Sequence, residues 1–423
     1  MNTDGNRPYD DVLDGLDGIR AWQQDTYRQL HQHPELSFQE VRTAALAADR
    51  LRQSGYEVHE QVGGTGVVGI LRNGDGPGVL LRADMDALPV REETGLPYAS
   101  TDTATDDDGI EVPVMHACGH DVHVTALLGA ATLLAMRQES WSGTVVALFQ
   151  PAEELGTGAR RMVDDGLGAS LPQLDVALGQ HVLAFPAGEV RTRPGLMLTS
   201  AASVRITLHG RGAHGSMPDA AVDPVVLAAM IIIRLQTVVS RELPPSGLSV
   251  VTVGSVHAGS KANVIDSTAV LEVNVRTDSD TAMSTALAAI ERMVVAECRA
   301  SATPADPEIE VYGRYPATSN DPAATERVRT AFDTVFGDAA GELALQSASE
   351  DFSIIPDALG IPYCYWAVGG ADPSAYAKAV ESGRIAQDVP VNHSPFFAPV
   401  MQPTLDVGTR ALTTAALAWL AAG

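Results

Sequence analysis

The sequence predicts an α/β fold in which a larger domain carries an inserted domain of the ferredoxin-like (β-α-β-β-α-β) type. Short runs rich in β-branched residues alternate with Ala- and Leu-rich runs of helical periodicity, as in a sheet covered by helices on both faces. This pattern changes after Pro194 and returns to its first form after the run Glu308–Tyr312. A chain of 423 residues is long enough for two domains.

The larger domain is expected to comprise residues 1–193 and 313–423. In its N-terminal part, β-rich runs predict four strands, at Gly66–Leu71, Val79–Arg82, Val145–Phe149 and Val176–Leu178. Helical periodicity predicts helices at Asp11–Leu30, Val41–Leu51 and Val122–Met136. In its C-terminal part, a helix, a strand and a closing helix are predicted at Ala323–Phe336, at Tyr363–Val368 and after Thr404.

The inserted domain is expected to comprise residues 194–312. Its predicted elements follow the order strand, helix, strand, strand, helix, strand, and they lie at Ala202–His209, Pro224–Ser240, Leu248–Val256, Thr268–Thr277, Thr281–Arg299 and Glu308–Tyr312. This order is that of the split βαβ sandwich. Because the C-terminal segment resumes the first pattern, we expect it to complete the larger domain.

Composition and charge exclude several classes of partner. A net charge of −25 argues against a nucleic-acid backbone or an anionic membrane as a binding partner.

The three cysteines are widely spaced and predict no disulfide framework, which fits a reducing cytoplasm. The N-terminal sequence lacks the basic and apolar regions of a signal peptide. The longest apolar run, around Val225–Leu235, is broken by Arg234 and predicts a packed helix, so no membrane span is expected.

Five side chains in short, unusual contexts form a candidate metal site. They are one thiol, three imidazoles and one carboxylate: Cys118 and His120 in MHACGH, Glu154 in QPAEE, His181 in LGQHV and His393 in NHSPFF. Together they suit transition ions such as zinc, manganese, nickel or cobalt (Zn, Mn, Ni or Co). Each residue taken alone could be an ordinary buried or loop residue. Because sheets of this kind gather ligands in loops beyond their strand ends, the set predicts a metal centre there.

Further carboxylates near these candidates indicate hydrolysis. Asp84 and Asp86 alternate at strand spacing, so both can point the same way and support a metal-bound imidazole, although each could also cap the next turn. Glu153 and Glu154 are consecutive, so one can bind an ion while its neighbour stays free. A free carboxylate there can take a proton from activated water and pass it to a leaving amine. Alternatively, the pair opens the predicted helix Thr157–Asp165.

Nine motifs in order along the chain resemble those of the M20 family of metallopeptidases: LHQHPELSFQE, RADMDALP, MHACGHDVH, QPAEE, GQHV, GRGAHGSMPDAAVDP, ANVI, SEDFS and NHSPFF. The closest branch is the amidohydrolases that act on N-acyl amino acids, such as hippurate hydrolases, auxin–amino acid conjugate hydrolases and bacterial aminoacylases. The resemblance runs from about Asp25 to Pro403. It implies a di-metal, exopeptidase-like catalytic domain with an inserted lid or dimerisation domain.

The resemblance implies roles for the residues of the catalytic domain. Cys118 would bridge two divalent ions, and the other four candidate ligands would complete their coordination. Glu153 would be the general base and acid, with Asp86 as a supporting carboxylate. Four further histidines would be structural or would support the ligands: His31, His33, His116 and His123.

The resemblance also implies roles in the inserted domain. His214 would donate a hydrogen bond to the substrate carbonyl oxygen as it becomes an oxyanion, and in dimeric relatives this histidine reaches the partner's active site. Asn263 and Arg276 would bind the free carboxylate of the amino-acid half of the substrate. Each could instead be an ordinary loop or surface strand residue.

These features predict a cytoplasmic, metal-dependent amidohydrolase that cleaves small N-acyl amino acids to a carboxylic acid and a free amino acid. A homodimer or higher homo-oligomer is expected from the resemblance. Two alternatives stay open, a metallo-exopeptidase acting on dipeptides and a non-catalytic, metal-containing dimeric binding protein. The sequence does not specify the acyl group, the amino-acid side chain or the native metal.

Overall fold

The computed structural model describes residues 7–421, which divide into two compact units, each with a hydrophobic core. The first unit takes in the chain up to Met197, Ser319–Leu345 and the residues from Asp351 onward. The second comprises Leu198–Thr318 and Gln346–Glu350. Its main segment ends at residue 318 rather than the predicted 312, because its last strand continues to Tyr315.

The short segment Gln346–Glu350 was not expected in the second unit. It belongs there because its main chain is hydrogen-bonded to that unit. The main-chain nitrogen of Thr199 donates to the carbonyl oxygen of Ala348 over 3.0 Å, and Leu198 forms a parallel bridge with Gln346.

An eight-stranded mixed sheet lies at the centre of the first unit. Across the sheet, its strands are Glu57–Val62, Gly66–Asn73, Gly143–Gln150, Gly78–Asp84, Val176–Pro186, Tyr363–Ala371, Val190–Thr192 and Ala340–Glu342. Four adjacent strands run parallel to one another: Gly143–Gln150, Gly78–Asp84, Val176–Pro186 and Tyr363–Ala371. They are almost wholly buried, which explains why they appear in the sequence as continuous apolar runs. Parallel strands end at one edge, so the loops that follow them meet there.

Helices cover this sheet. They span Arg7–Leu13, Leu16–Gln32, Val41–Gln53, His120–Met136, Gly158–Asp164, Leu167–Ser170, Pro322–Phe336, Ile354–Leu359, Pro373–Glu381, Ile385–Asp388 and Met401–Leu420. The helix His120–Met136 is apolar on all sides because it is buried along almost its whole length, and it packs against the closing helix. Its first turn therefore fixes His120 within the core of the unit.

Two short strand pairs of the structure were not predicted. They are the hairpin of Thr103–Thr105 with Glu111–Pro113, and the pair of Gly195–Leu198 with Thr318–Asn320. Strands of three or four residues carry too little alternation to be recognised in a sequence.

The second unit has the predicted order of elements. Its antiparallel four-stranded sheet contains, from edge to edge, Ser249–Ala258, Thr268–Thr277, Ser200–His209 and Glu308–Tyr315. The helices Pro224–Thr237 and Asp280–Ala300 pack on one another and on this sheet. A two-residue strand pair, Ala213–His214 with Val264–Ile265, joins the two loops that carry predicted site residues. The arrangement is the expected ferredoxin-like fold.

One described stretch, Pro224–Glu242, has the length and composition of a membrane span, and a third of its apolar window, 33%, is buried. Its inner face contributes Leu227, Ile231 and Leu235 to the core of the second unit. Helices of protein cores meet the same criteria, so length and composition alone do not make this stretch a span.

Candidate metal centre

Two groups of three side chains share Cys118 in the first unit. Cys118, His120 and His181 each place one potential ligand atom within 4.8 Å of the others, and Cys118, Glu154 and His393 do the same. Ligand atoms bound about 2.0–2.3 Å from one ion lie at such separations from each other. The structure therefore brings all five candidate ligands together, with the single thiol common to both groups.

Main-chain carbonyl groups orient two of the imidazoles. Nδ1 of His120 lies 2.9 Å from the carbonyl oxygen of Asp86, and Nδ1 of His181 lies 2.8 Å from that of Val182. A carbonyl oxygen only accepts hydrogen bonds, so each Nδ1 carries the proton and each Nε2 presents a lone pair. Nε2 of His181 lies 3.5 Å from Sγ of Cys118. Nε2 of His120 is buried and has no hydrogen-bond partner among the described residues, as expected of an atom reserved for an ion.

The backbone around Cys118 requires particular residues. Gly119 has a φ of 82°, and a Cβ atom there would lie 2.3 Å from a methyl carbon of Val182, so only glycine fits between Cys118 and His120. Asn392 donates from Nδ2 to the carbonyl oxygens of Cys118 and Val182, over 3.2 and 3.1 Å. These bonds tie the loop of His393 to the helix start.

His393 approaches from the C-terminal segment. Its main-chain nitrogen donates to the carbonyl oxygen of Ala117 over 2.8 Å, and its Nε2 lies 3.4 Å from Oε2 of Glu154. It adopts a φ of 71°, a left-handed conformation that a residue other than glycine adopts only where its surroundings impose it. The imidazole is more than half exposed, at 56%, so this side of the centre faces solvent.

Asp86 fixes the backbone of the paired glutamates. Its Oδ1 accepts a hydrogen bond from the main-chain nitrogen of Glu153 over 3.1 Å, and its Oδ2 accepts one from Glu154 over 3.0 Å. The side chain of Asp86 was expected to support a metal-bound imidazole. Nδ1 of His120 instead lies closer to the main-chain carbonyl oxygen of Asp86, at 2.9 Å, than to its carboxylate oxygen Oδ1, at 3.3 Å. Oε2 of Glu153 lies 3.9 Å from Nε2 of His120, so this carboxylate adjoins the ligand cluster.

Asp84 and Asp86 both lie near the imidazole of His120, with Oδ2 of Asp84 3.7 Å from Nε2 and Oδ1 of Asp86 3.3 Å from Nδ1. Oδ1 of Asp84 lies 2.5 Å from Nδ1 of His123, and its Oδ2 accepts a 2.7 Å hydrogen bond from the buried guanidinium of Arg82. Nε2 of His123 in turn accepts the main-chain hydrogen of Val182 over 2.8 Å. His123 therefore holds the strand of His181 in place. Arg82 was not predicted as part of this network, because its only signal in the sequence is a charge within an apolar strand.

The charges of the centre favour bound cations. Burial lowers the pKa of His120, but the negative charge of Asp84, the hydrogen bond with Asp86 and the neighbouring Cys118 raise it well above its ordinary value. Hydrogen bonds with Cys118 and Glu154 raise the pKa of His393 to about 10. Burial and the neighbouring His123, by contrast, lower the pKa of His181 well below its ordinary value. The raised pKa values of His120 and His393 reflect the negative charge around these two imidazoles. Divalent ions would neutralise that charge and leave the imidazoles free to coordinate, so the residues present fit a metal pair.

Three further histidines of the first unit belong to none of the ligand groups. His31 is buried between Asp121 and Glu92, at 2.7 and 3.0 Å. His33 lies 3.0 Å from Asp102 at the surface. His116 is buried, and burial lowers its pKa to about 4, so its ring is neutral.

In the second unit, His214 and Asn263 lie side by side. The main-chain nitrogen of Gly215 donates to the carbonyl oxygen of Asn263 over 2.7 Å. Nδ1 of the exposed His214 accepts the main-chain hydrogen of Ser216 over 3.2 Å and lies 2.7 Å from its hydroxyl oxygen. Because Nδ1 accepts, Nε2 of the neutral ring carries the proton and can donate a hydrogen bond.

Arg276 lies at the other end of the same sheet. Both ends belong to the strand Thr268–Thr277, whose first residue follows the loop of Asn263. Thr268 and Arg276 are eight residues apart in this strand, so about 26 Å separates them at about 3.3 Å per residue. Nη1 of Arg276 donates to the carbonyl oxygen of Ser347 over 2.7 Å and to the hydroxyl of Ser349 over 3.2 Å. One chain therefore does not bring Arg276 together with His214 and Asn263.

Comparison with known proteins identifies the family. The model of peptidase family M20/M25/M40 matches residues 80–388, which include every ligand candidate except His393. Hippurate hydrolase of Campylobacter jejuni is 37% identical over 344 residues, 80% of this chain and 85% of its own. N-acetyl-L-cysteine deacetylase of Bacillus subtilis is 41% identical over 59% of this chain and 58% of its own. Thermostable carboxypeptidase 1 of Saccharolobus solfataricus is 35% identical over 79% of this chain and 83% of its own.

Solved structures share the fold along almost the whole chain. A protein of methicillin-resistant Staphylococcus aureus described as an aminohydrolase superimposes with a TM-score of 0.81 at 33% identity, over 96% of this chain and 98% of its own. A dinuclear metal-binding peptidase of the M20 family from Bacillus subtilis gives 0.73 at 27% identity, over 95% and 98%. The chain therefore belongs to peptidase family M20/M25/M40, and within it to the metal-dependent amidohydrolases.

Proposed function

We propose that the chain uses two divalent metal ions to hydrolyse the amide bond of N-acyl amino acids, releasing a carboxylic acid and a free amino acid. The observation that carries this proposal is the pair of three-ligand groups joined at Cys118, with the carboxylate of Glu153 beside them. Similarity to a hippurate hydrolase and to an N-acetyl-L-cysteine deacetylase supports this substrate class.

The five clustered side chains would hold the ions, which we propose to be Zn, Mn, Ni or Co. When bound, such ions lower the pKa of water and polarise an amide carbonyl. Glu153 would accept the proton of the attacking water and pass it to the nitrogen of the leaving amino acid. Asp86 would keep that carboxylate in place, since it holds the main-chain nitrogens of Glu153 and Glu154.

The substrate-binding residues of the second unit support a homodimer. We propose that Arg276 binds the substrate carboxylate, and that His214 and Asn263 act in the active site of the partner subunit. The separation of about 26 Å along one strand prevents a small substrate from contacting both sets within one chain. In this arrangement, Nε2 of His214 would donate to the oxyanion that forms from the substrate carbonyl.

The outer face of the helix Pro224–Thr237 is a candidate dimer surface. Val226, Met230 and Ile233 are 58%, 51% and 67% exposed, and they lie at helical spacing on one face. The neighbouring edge strand adds the exposed Val256, which pairs with the core residue Leu271 and so lies on the helix side of the sheet. Contiguous apolar surface of this kind marks association sites, and an unpaired strand edge can extend its sheet into a second copy.

The dimer is tested by Ile233→Glu, which places a charge in the centre of this face. We expect the wild type to sediment as a dimer and the variant as a monomer with much reduced turnover. Met136→Glu serves as the control, because Met136 is also about half exposed (52%) but lies in the first unit. A monomeric wild type with full activity would contradict the proposal.

A reducing compartment such as the cytoplasm would keep the centre functional. Cys118, Cys298 and Cys364 are all buried free thiols. Oxidation of Cys118 would remove the thiolate that both ligand groups share.

The reaction is tested by amine release from N-acetyl, N-benzoyl and long-chain N-acyl amino acids, with dipeptides in the same panel. We expect chelator-sensitive release from the acylated compounds. A dipeptidase is the second candidate, favoured by the similarity to a carboxypeptidase, and preferential cleavage of dipeptides would select it. If no substrate gave chelator-sensitive release, a non-catalytic binding protein would be the better description.

A further inference from the structure

The segment Ser37–Glu40 contacts the catalytic loop of the first unit from outside the metal centre. The hydroxyl of Ser37 donates to Oδ2 of Asp86 over 2.7 Å. Oε1 of Glu40 accepts the main-chain hydrogen of Ala152 over 2.8 Å. Phe38, between them, has a φ of 61°, and this left-handed residue turns the chain so that both side chains point inward.

Carboxylate oxygens hold three successive amide groups of the catalytic loop. The main-chain nitrogen of Ala152 donates to Glu40, and those of Glu153 and Glu154 donate to the two oxygens of Asp86. Ala152 has a φ of 49°, which alanine does not adopt without an external constraint. The carbonyl oxygen of Ala152 is bound as well, by the main-chain nitrogen of Gly158 over 3.2 Å. The direction in which Glu153 leaves the backbone therefore depends on how Ala152 is held.

The carboxylate of Glu40 does not cap the helix that follows it. The residue stands at the N-cap position of the helix Val41–Gln53, yet its side chain makes no capping hydrogen bond. Glu35 caps this helix instead, since its carboxylate accepts the main-chain hydrogens of Arg42 and Thr43 over 3.0 and 2.8 Å. Glu40 is completely buried, and its second oxygen is bound by the hydroxyl of Thr65. A carboxylate buried in this way is retained only where its hydrogen bonds compensate for the lost water.

We propose that Glu40 is a positioning residue for the hydrolytic reaction, which holds Ala152 in its left-handed conformation and thereby orients Glu153 and Glu154 towards the metal centre. The inference rests on the proposed function of Glu153 as general base. Glu40 would touch neither the substrate nor the ions, and would act through the main-chain amide of Ala152.

Two conservative variants separate this role from a role of the charge. In Glu40→Gln, the side-chain oxygen that accepts from Ala152 keeps its place. In Glu40→Asp, the carboxyl group is kept but recedes by one carbon–carbon bond, about 1.5 Å. We expect Glu40→Asp to lose about 10- to 100-fold in kcat with KM little changed, since misplacement by about 1 Å can cost 100-fold. Glu40→Gln should retain most of the wild-type kcat.

The matched control is Glu35→Gln in the same segment. It weakens the start of the helix Val41–Gln53, so we expect a lower melting temperature and an unchanged kcat. Cobalt-loaded protein gives a second readout, because the visible spectrum of the ion reports the geometry of its ligands. Glu40→Asp should alter that spectrum through Glu154, while Glu40→Gln should leave it as in the wild type.

The proposal is overturned if Glu40→Asp keeps the wild-type kcat and cobalt spectrum, or if Glu40→Gln is as slow as Glu40→Asp. Failure of the proposed function gives a different result. A wild type that binds cobalt but hydrolyses no N-acyl amino acid would refute the function, and the spectra of the two variants would still decide the role of Glu40.

Discussion

At the scale of single residues, two neighbouring carboxylates are expected to differ in function. Glu154 belongs to a ligand group with Cys118 and His393, whereas the buried Glu153 forms a group with His120 and Glu154 but with neither Cys118 nor His393. We predict that Glu153→Gln lowers kcat by about 100- to 10,000-fold, the usual contribution of a general acid–base group, and leaves the metal content unchanged. Elemental analysis and single-turnover assays on the same preparation measure both quantities.

The companion variant Glu154→Gln should behave in the opposite way. Loss of the carboxylate charge weakens one ligand group, so metal content should fall and added metal should restore part of the activity. Equal metal loss in both variants would contradict the division of roles. Near-normal turnover of Glu153→Gln would refute Glu153 as the base.

The chemical types of the ligand residues made them recognisable in the sequence. Thiol, imidazole and carboxylate side chains that occur together in short, unusual motifs suit few purposes other than metal binding, so Cys118 and His120 could be selected without a structure. Arg82 and Glu40 could not, because their types are common and their partners are distant in the chain. Arg82 binds Gln150 and Asp351, which are 68 and 269 residues away.

At the scale of elements, His31 links three parts of the first unit. It lies on the helix Leu16–Gln32 and contacts Asp121, in the first turn of the helix that His120 begins, and Glu92 in the loop before it. Burial lowers the pKa of His31, but hydrogen bonds with Asp121 and Glu92 outweigh that effect and raise it from 6.5 to about 10. His31 is therefore a buried cation between two anions at neutral pH.

We predict that His31→Gln destabilises the protein by about 3 kcal/mol, as expected when a buried ion pair loses one partner. The folded-state pKa is above the unfolded value, so this stabilisation is complete below about pH 6.5 and declines as the pH rises towards 10. Urea unfolding at pH 6 and pH 9 measures the difference between the variant and the wild type. His33→Gln, at a half-exposed position, is the control and should change little at either pH.

A difference in unfolding free energy that is the same at pH 6 and pH 9 would contradict a charged His31. It would indicate that the variant loses packing and neutral hydrogen bonds only.

The main elements could be predicted because their apolar periodicity is strong. The strand Val176–Pro186 nevertheless continues eight residues beyond its predicted end at Leu178 (186 − 178), since polar His181 and Pro186 conceal its continuation. The helix Pro373–Glu381 was missed. It is short and mostly exposed, and its signals are a cap at Asp372 followed by proline, which also mark ordinary turns.

At the scale of the whole molecule, the change of sequence pattern after Pro194 predicted two units, but it did not predict every segment that belongs to each unit. The sequence placed the inserted segment within six residues of its observed end (318 − 312), because the order of elements identifies a complete ferredoxin-like unit. The segment Gln346–Glu350 could not be assigned from sequence. Its place depends on hydrogen bonds with Thr199 and Arg276, about 150 and 70 residues away in the chain.

Removal of the metal ions should destabilise the first unit, which contains all five candidate ligands. The centre gathers Cys118, Glu154 and further acidic groups, several of them buried, so loss of the ions leaves their negative charges without a compensating cation. An ion present at 100 times its Kd stabilises the native state by about 2.7 kcal/mol. We predict that a chelator lowers the melting temperature measured by calorimetry by several degrees, and that added metal restores it.

The variant Cys118→Ala provides the control for this prediction, since it removes the ligand common to both groups. It should melt at one temperature with or without chelator, close to that of the chelated wild type. His181→Ala removes a ligand from one group alone, so it should keep about half of the response to chelator. An equal response of the wild type and Cys118→Ala would show that the stabilising ions bind elsewhere, and the two-ion centre at Cys118 would then have to be abandoned.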